Sequence, residues 1–401
     1  MHSRFVARQP VFDKLLKVFG YELLFRSNED NFFRPHPAAA NSVIVDATTL
    51  FDLDTLVGPA RAFVNLDETA LLQEAASLLP PDRVVLEILE TVTVNDAIVS
   101  ACETLAEHGY VLALDDFADN PKWEPLLRLA TFLKVDFRVS DEKCCRGAAK
   151  KYGSKGFQML AEKVETRAQL HEARSQGYAY FQGYFFCKPQ MVSTREIPGS
   201  KVNYVRLLAA IAAEELDFAA IDGILRQDPS LTYRLLRFLN SPLRGLRAEV
   251  HSIRHALSLL GEIEFRRWVS VVAVSAMAGE KPAELVRTAL TRAYFCEAAA
   301  ETADMRTKGP ELFLMGLLSV TDALLDRPIE SVLQHLPVSK EIRSALTAVP
   351  SRYRDIYEVL LAYERGDWSA LSAAALRACL DEKLIPECYL GAVSRTTALQ
   401  I

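Results

Sequence analysis

In the first half of the chain, strand-like runs end in a polar residue time after time, and the step between those residues stays within narrow limits. Asn65, Glu87, Asp115, Lys134, Glu162 and Gln182 follow one another at intervals of 22, 28, 19, 28 and 20 residues. Each interval is about the length of one strand, one helix and their connections. Eight runs carry strand character: FVARQPVF (5–12), GYELLFR (20–26), RAFVNLD (61–67), RVVLEILE (83–90), YVLALDDF (110–117), TFLKVDF (131–137), QMLAEKVE (158–165) and YFQGYFF (180–186). Between most of them lie amphipathic stretches such as VNDAIVSACETLAEHG (94–109), apolar at helical spacing and closed by a glycine. Such alternation predicts a parallel sheet. Eight strands with polar side chains at successive carboxyl ends predict an α/β TIM-type (β/α)8 barrel with its site on that face.

The run YVLALDDF places two adjacent carboxylates, Asp115 and Asp116, at the end of a buried strand. Neighbouring like charges repel and resist desolvation, so stability alone does not account for them there. Carboxylate oxygen is the ligand that hard divalent cations take. A lone Asp-Asp pair more often caps the segment that follows it. Here acids recur on other strand ends: Glu22, Glu87, Glu162 and Glu165 join the two aspartates, with Asn65 as an amide and Lys134 as a cation. Two divalent ions, Mg²⁺ or Mn²⁺, on such a ring would polarise a phosphate and ionise a water for in-line attack. Lys134 would steady the nucleophile or the developing charge.

At 401 residues the chain exceeds a usual single domain, and two domains are expected. Half of the residues are hydrophobic and 24% are charged, as in soluble globular proteins. A net charge of −6 gives no reason to expect direct nucleic-acid binding. Seven cysteines without regular spacing fit free thiols in a reducing cytoplasm. No signal-peptide core and no membrane-length apolar window is present, so a cytoplasmic protein without a membrane anchor is expected.

The motifs resemble, in order and spacing, those of the EAL-domain family of cyclic di-GMP phosphodiesterases. They are Gln9-Pro10-Val11, Glu22-Leu23-Leu24 with Arg26, Asn65-Leu66-Asp67, Leu86-Glu87-Ile88-Leu89-Glu90, Asp115-Asp116-Phe117-Ala118, Lys134-Val135-Asp136, Glu162-Lys163-Val164-Glu165 and Gln182-Gly183. The resemblance implies metal ligation by Glu22, Asn65, Glu87, Asp115 and Asp116. It implies Lys134 and Glu162 at the attacking water, with Glu165 beside them. Gln9, Arg26 and Gln182 would lie near the dinucleotide. Two departures stand out. ADNPKWEPLL (118–127) replaces the family's Gly- and Ser-rich loop, putting Ala118 where glycine reaches positive φ at less cost. Lys163 replaces the glycine of the family's EGVE motif.

Beyond Pro198-Gly199-Ser200 the strand signal ends. The expected division is an EAL-like barrel over 1–195, a linker over 196–202 and an all-α domain over 203–401. Helices are expected over 202–217, 218–227, 229–240, 251–261, 264–278, 283–303 and 311–325, closing near the last residues. DPSLTYRLLRFLNS and SIRHALSLLG are similar to stretches of the HDOD family, a relative of metal-dependent HD phosphohydrolases. Here Gly316-Leu317-Leu318 is followed by Ser319-Val320 in place of His-Asp, which implies a non-catalytic output half that contacts protein partners. His251 and His255 share one helix face but lack an accompanying carboxylate motif, and are expected to be structural.

Two readings follow. In one, a degenerate barrel binds cyclic di-GMP and the HDOD half passes on its state. In the other, the barrel hydrolyses cyclic di-GMP to the linear dinucleotide. A homodimer stays open in both.

Overall fold

All eight strand-like runs become strands: β1 (Phe5–Phe12), β2 (Val18–Arg26), β3 (Arg61–Leu66), β4 (Val84–Ile88), β5 (Val111–Leu114), β6 (Ala130–Asp136), β7 (Gln158–Glu162) and β8 (Tyr180–Gln182). In this computed structural model they close in chain order into a barrel. The described residues are 5–26, 53–73, 75–138, 142–187, 199–212, 215–227, 253–279, 281–334, 336 and 338–399.

The sheet is not parallel throughout. β1 runs antiparallel to both β2 and β8, whereas every other neighbouring pair is parallel. The cause is the connection after Phe12, which is too short for a crossover helix and can only turn back. Asp13 builds that turn: its carboxylate accepts from the N–H of Leu15 (2.8 Å) and of Lys17 (2.9 Å), and Leu16 takes φ 58°.

Inside the barrel, Val11, Phe63, Val85, Ala113, Phe132 and Leu160 form an apolar layer, with Phe19, Val111 and Tyr180 packed against it. Strand side chains alternate, so the residue two positions on faces inward again. That residue is Asn65, Glu87, Asp115, Lys134 and Glu162 on β3 to β7 respectively. A dry plug therefore lies directly beneath a polar layer, and the plug keeps water from reaching that layer from below. Gly20 is the inward residue of β2 at plug level. A Cβ there would stand 2.7 Å from both the Arg61 carbonyl and the Phe63 ring, so the space goes to the larger aromatic. At the other end of the barrel, Gly183 (φ 137°) lets the chain press on Val164, whose carbonyl would lie 2.1 Å from an added Cβ. The Val164 N–H donates to the Gln182 carbonyl (2.9 Å), which ties the exits of β7 and β8 together.

The chain divides into two units, Met1–Phe186 with Ala362–Ser369, and Cys187–Leu361 with Ala370–Ile401. Among the described residues the second unit holds helices and no strand, including Gly199–Ala212, Phe218–Gln227, Ile253–Ala278, Ala283–Thr302, Gly309–Leu318, Thr321–Leu325 and Ile385–Ala398. Gly261 breaks Ile253–Ala278 with φ 74°, dividing it where two separate helices are expected. The expected helix over 311–325 is interrupted at Ser319 and Val320, where Ser319 Oγ bonds back to the Gly316 carbonyl (2.7 Å). The expected helix over 229–240 and the His251 and His255 side chains lie outside the described residues. Among the described residues no helix is long and apolar enough to cross a membrane.

Candidate active site

Lys134 stands at the centre of the polar layer and is fully buried. Its Nζ lies 2.8 Å from Glu87 Oε1, Asp115 Oδ1 and Glu162 Oε1, and 3.5 Å from Glu22 Oε2. Asn65 Nδ2 donates to Glu22 Oε1 (3.0 Å) and Gln182 Nε2 to Glu22 Oε2 (2.6 Å). Gln182 also donates to Gln9 Oε1 (3.2 Å). One barrel mouth thus gathers Glu22, Asn65, Glu87, Asp115, Lys134, Glu162, Gln182 and Gln9, one from each of the eight strands, with Asp115 just past the end of β5.

The charges do not balance. Four carboxylates face one ammonium, an excess of three negative charges if all ionise. Burial, reinforced by the Glu22 charge, pushes Glu87 well above the carboxylate range. Burial likewise raises Asp115, against the pull of Lys134. Burial pushes Glu162 up to about 8. Glu22 alone is held below its usual value, because Lys134 and the Gln182 and Asn65 amides outweigh its burial. Burial opposes the charge on Lys134, but Asp115, Glu162, Glu22 and Glu87 together raise its pKa.

A pH dependence follows from Glu162. Its carboxyl titrates near 4.5 when exposed and near 8 in the native barrel, so between these values the native state holds a proton that the unfolded chain releases. The stabilisation is fully present below the unfolded pKa and is lost as pH rises through the folded one. The metal-free protein is expected to melt at a falling temperature from pH 5 to pH 8, with a shallower slope in Glu162→Gln. An identical slope in both proteins would refute this.

Asp116 stands apart from the ring. It adopts φ 41°, and its Oδ1 accepts from Lys163 Nζ (3.2 Å), which also reaches Asp136 Oδ2 (2.6 Å). Lys163 itself sits at φ 54°, a left-handed position where glycine is the usual residue. Glu165 is not brought to the ring; it is exposed, with Arg138 Nη1 3.9 Å away. Arg26 ends β2, and its side chain lies outside the described residues. Ala118 does not have positive φ; the left-handed turn falls at Asp116, so the alanine is unstrained. The segment after it is anchored. Asp119 accepts from Lys151 (2.7 Å) and Tyr152 (2.5 Å), Asn120 caps Pro121–Trp123, and Trp123 is buried.

The residues fit a hard divalent cation by their chemistry. The donors are all oxygen, and the four carboxyl groups, once ionised, carry more negative charge than Lys134 neutralises. Asn65 Oδ1, Glu87 Oε2 and Glu162 Oε2 are buried without a hydrogen-bond partner. Among the described residues no group of three or more His, Cys, Asp or Glu side chains stands at metal-holding distances. The carboxylates are spread around the Lys134 ammonium instead.

Residues 4–189 match the EAL domain and residues 197–325 the HDOD domain. The chain is 32% identical over 388 residues to the cyclic di-GMP phosphodiesterase CdgJ of Vibrio cholerae, covering 95% of this chain and 89% of CdgJ. The chain belongs to the EAL–HDOD family. YuxH of Bacillus subtilis is 33% identical over 399 residues, covering 97% of both chains. Among solved structures, BlrP1 of Klebsiella pneumoniae, a calcium and cyclic di-GMP complex, matches at 23% identity and TM-score 0.39, over 46% of this chain and 55% of that one. In this EAL–HDOD protein the residues that sequence reasoning did not assign are Asp136, the second partner of Lys163, and Glu364, whose carbonyl accepts from Gln9 Nε2 at 3.3 Å. Asp136 follows Lys134 by two positions in the KVD run, and that spacing was the available signal.

Proposed function

We propose that the barrel mouth binds cyclic di-GMP and, loaded with a divalent cation, opens it slowly to the linear dinucleotide. The observation that carries this reading is the convergence of four carboxylates and one amide on a single buried mouth around Lys134. The name of CdgJ, a cyclic di-GMP phosphodiesterase, supports it.

Glu22, Asn65, Glu87 and Asp115 would hold the cation, with Asp116 as a further candidate. Bound Mg²⁺ or Mn²⁺ would supply Lewis acidity toward the phosphate and a more acidic water. Gln9, Gln182 and Arg26 would bind and orient the dinucleotide. Glu162, with a pKa moved toward neutrality, would take the proton of the attacking water. Water oxygen bonds to one phosphorus, the bond from that phosphorus to the ribose 3′ oxygen breaks, and a proton passes to the leaving alkoxide. Lys134 would keep the carboxylates in place and offset negative charge gathering on the phosphate. The HDOD half would then carry the state of the barrel to protein partners.

A second reading, binding without turnover, draws on the Lys163 ammonium seated on Asp116. Incubating the purified chain with cyclic di-GMP and Mn²⁺, then separating the nucleotides, distinguishes the two. Linear dinucleotide is expected, absent in Asp115→Asn. Tight binding with no product would sustain the second reading, and neither binding nor product would remove both.

A further inference from the structure

The closed barrel has one short seam, between β1 and β8. β8 spans only Tyr180–Gln182 and pairs with β1 only at Val11 and Phe12. Among the described residues no strand covers the earlier part of β1 on that side. Val6 is fully buried there, so its N–H and C=O would be costly to leave unpaired.

A segment distant in sequence meets both groups. Ala362–Ser369 belongs to the barrel unit although it lies far outside the 4–189 stretch that matches the EAL domain. The Tyr363 hydroxyl accepts from the Val6 N–H (3.3 Å) and donates to the Val6 carbonyl (3.1 Å). Its ring packs with Phe5 at 6.1 Å and edge-on to Trp368 at 5.5 Å, and Trp368 in turn lies 5.8 Å from Phe5. The helix Arg352–Arg365 ends here, and its last-turn carbonyls take donors from outside the helix: Tyr363 O from the Gly366 N–H (3.0 Å) and Ala362 O from the Asp367 N–H (3.0 Å). Another, Glu364 O, accepts from Gln9 Nε2 (3.3 Å). Gln9 Oε1 accepts from Gln182, which donates to Glu22. A chain of amides therefore joins this segment to the carboxylate ring.

We propose that Ala362–Ser369 is a positioning element of the mouth: Tyr363 completes the short seam at β1, and the Glu364 carbonyl fixes the orientation of Gln9. The amide of Gln9 has its NH2 turned to Glu364 and its oxygen to Gln182, which sets both glutamines for the ligand. The inference rests on the reading of the mouth as a cyclic di-GMP site.

Tyr363→Phe in the full chain tests it, since the ring and its packing stay and only the hydroxyl goes. The dissociation constant for cyclic di-GMP in titration calorimetry is expected to rise about fivefold, the scale of one hydrogen bond. Mn²⁺ affinity should not move. Amide exchange across Phe5–Phe12 should quicken, with that of Asp96–Glu107 unchanged. Unaltered exchange across β1 would overturn the proposal whether or not the nucleotide binds. Faster exchange with an unchanged dissociation constant would also overturn it, leaving Tyr363 as a prop for β1 alone. Failure of the unsubstituted chain to bind the nucleotide would overturn the reading of the mouth, and the exchange comparison would still decide whether the segment holds β1.

Discussion

Lys134→Met will strip four buried carboxylates of their common cation, and the metal-free barrel should lose about 3–5 kcal/mol of stability. Lys134 is fully buried, and Glu87, Asp115 and Glu162 lie 2.8 Å from its Nζ. Water cannot reach the place of the lost ammonium from below, because the apolar layer closes the barrel just beneath. Methionine fills most of the volume, so the loss measures charge more than a cavity. The sign of the pH effect is fixed by the same cluster. Without Lys134 the carboxyl groups titrate still higher in the native state, and more of them stay protonated than in the unfolded chain. The deficit against the unsubstituted protein should then be small at pH 5 and large at pH 8. Millimolar Mn²⁺ should restore part of it, since a divalent cation takes over the neutralising role and binds only the native state. Urea denaturation at both pH values, with and without Mn²⁺, checks this. Equal midpoints for variant and unsubstituted protein at pH 8 would mean the carboxylates are already protonated and Lys134 holds nothing together.

The sequence carried the barrel because two periodicities coincide in it. Alternation along each strand and a βα-length step between strands put the same kind of residue at the same height, and the strands fall where expected. Strand direction is not written in such a pattern. The antiparallel β1 is dictated by the length of its connection to β2, a signal separate from the apolar spacing. Within the site, the inward set from Asn65 to Glu162 was legible for the same reason. The positions of Glu165 and Asp116 were not. Chain reversal at Lys163, with φ 54°, turns Glu165 out to solvent, and the left-handed Asp116 leaves the line of its strand. Both are backbone events that residue type does not announce, since neither position is glycine. Tyr363 and Val6 are 357 residues apart and bonded through a hydroxyl, a pairing no local periodicity encodes.

Lys163→Gly should raise turnover of cyclic di-GMP by about tenfold or more while leaving its affinity unchanged. The ammonium neutralises Asp116 from 3.2 Å and binds Asp136 at 2.6 Å, so Asp116 meets the mouth as half of an ion pair. Released, its carboxylate adds a negative charge and two oxygen donors beside Asp115, which favours a cation there. The Lys163 ammonium bonds to Asp116 and Asp136, whereas Gln9 and Gln182 bond to each other, to Glu364 and to Glu22, and for that reason nucleotide affinity should stay where it is. Stability decides whether the comparison is clean. A non-glycine residue in the left-handed region costs about 1–3 kcal/mol, which the glycine relieves. Against this stand two ion pairs of a lysine side chain 37% exposed, each worth about 1 kcal/mol or less. Asp136 is not orphaned by the change, because it keeps the Arg138 N–H at 2.7 Å. The two sides nearly cancel, so the variant should fold normally. Lys163→Met separates charge from backbone: it keeps the left-handed strain and loses the ammonium. It should match the glycine variant in Mn²⁺ affinity and turnover and fall below it in melting temperature. Mn²⁺ titrations and product rates indistinguishable across all three proteins would show that Lys163 leaves Asp116 free to act, and that the cation on it does not limit the site.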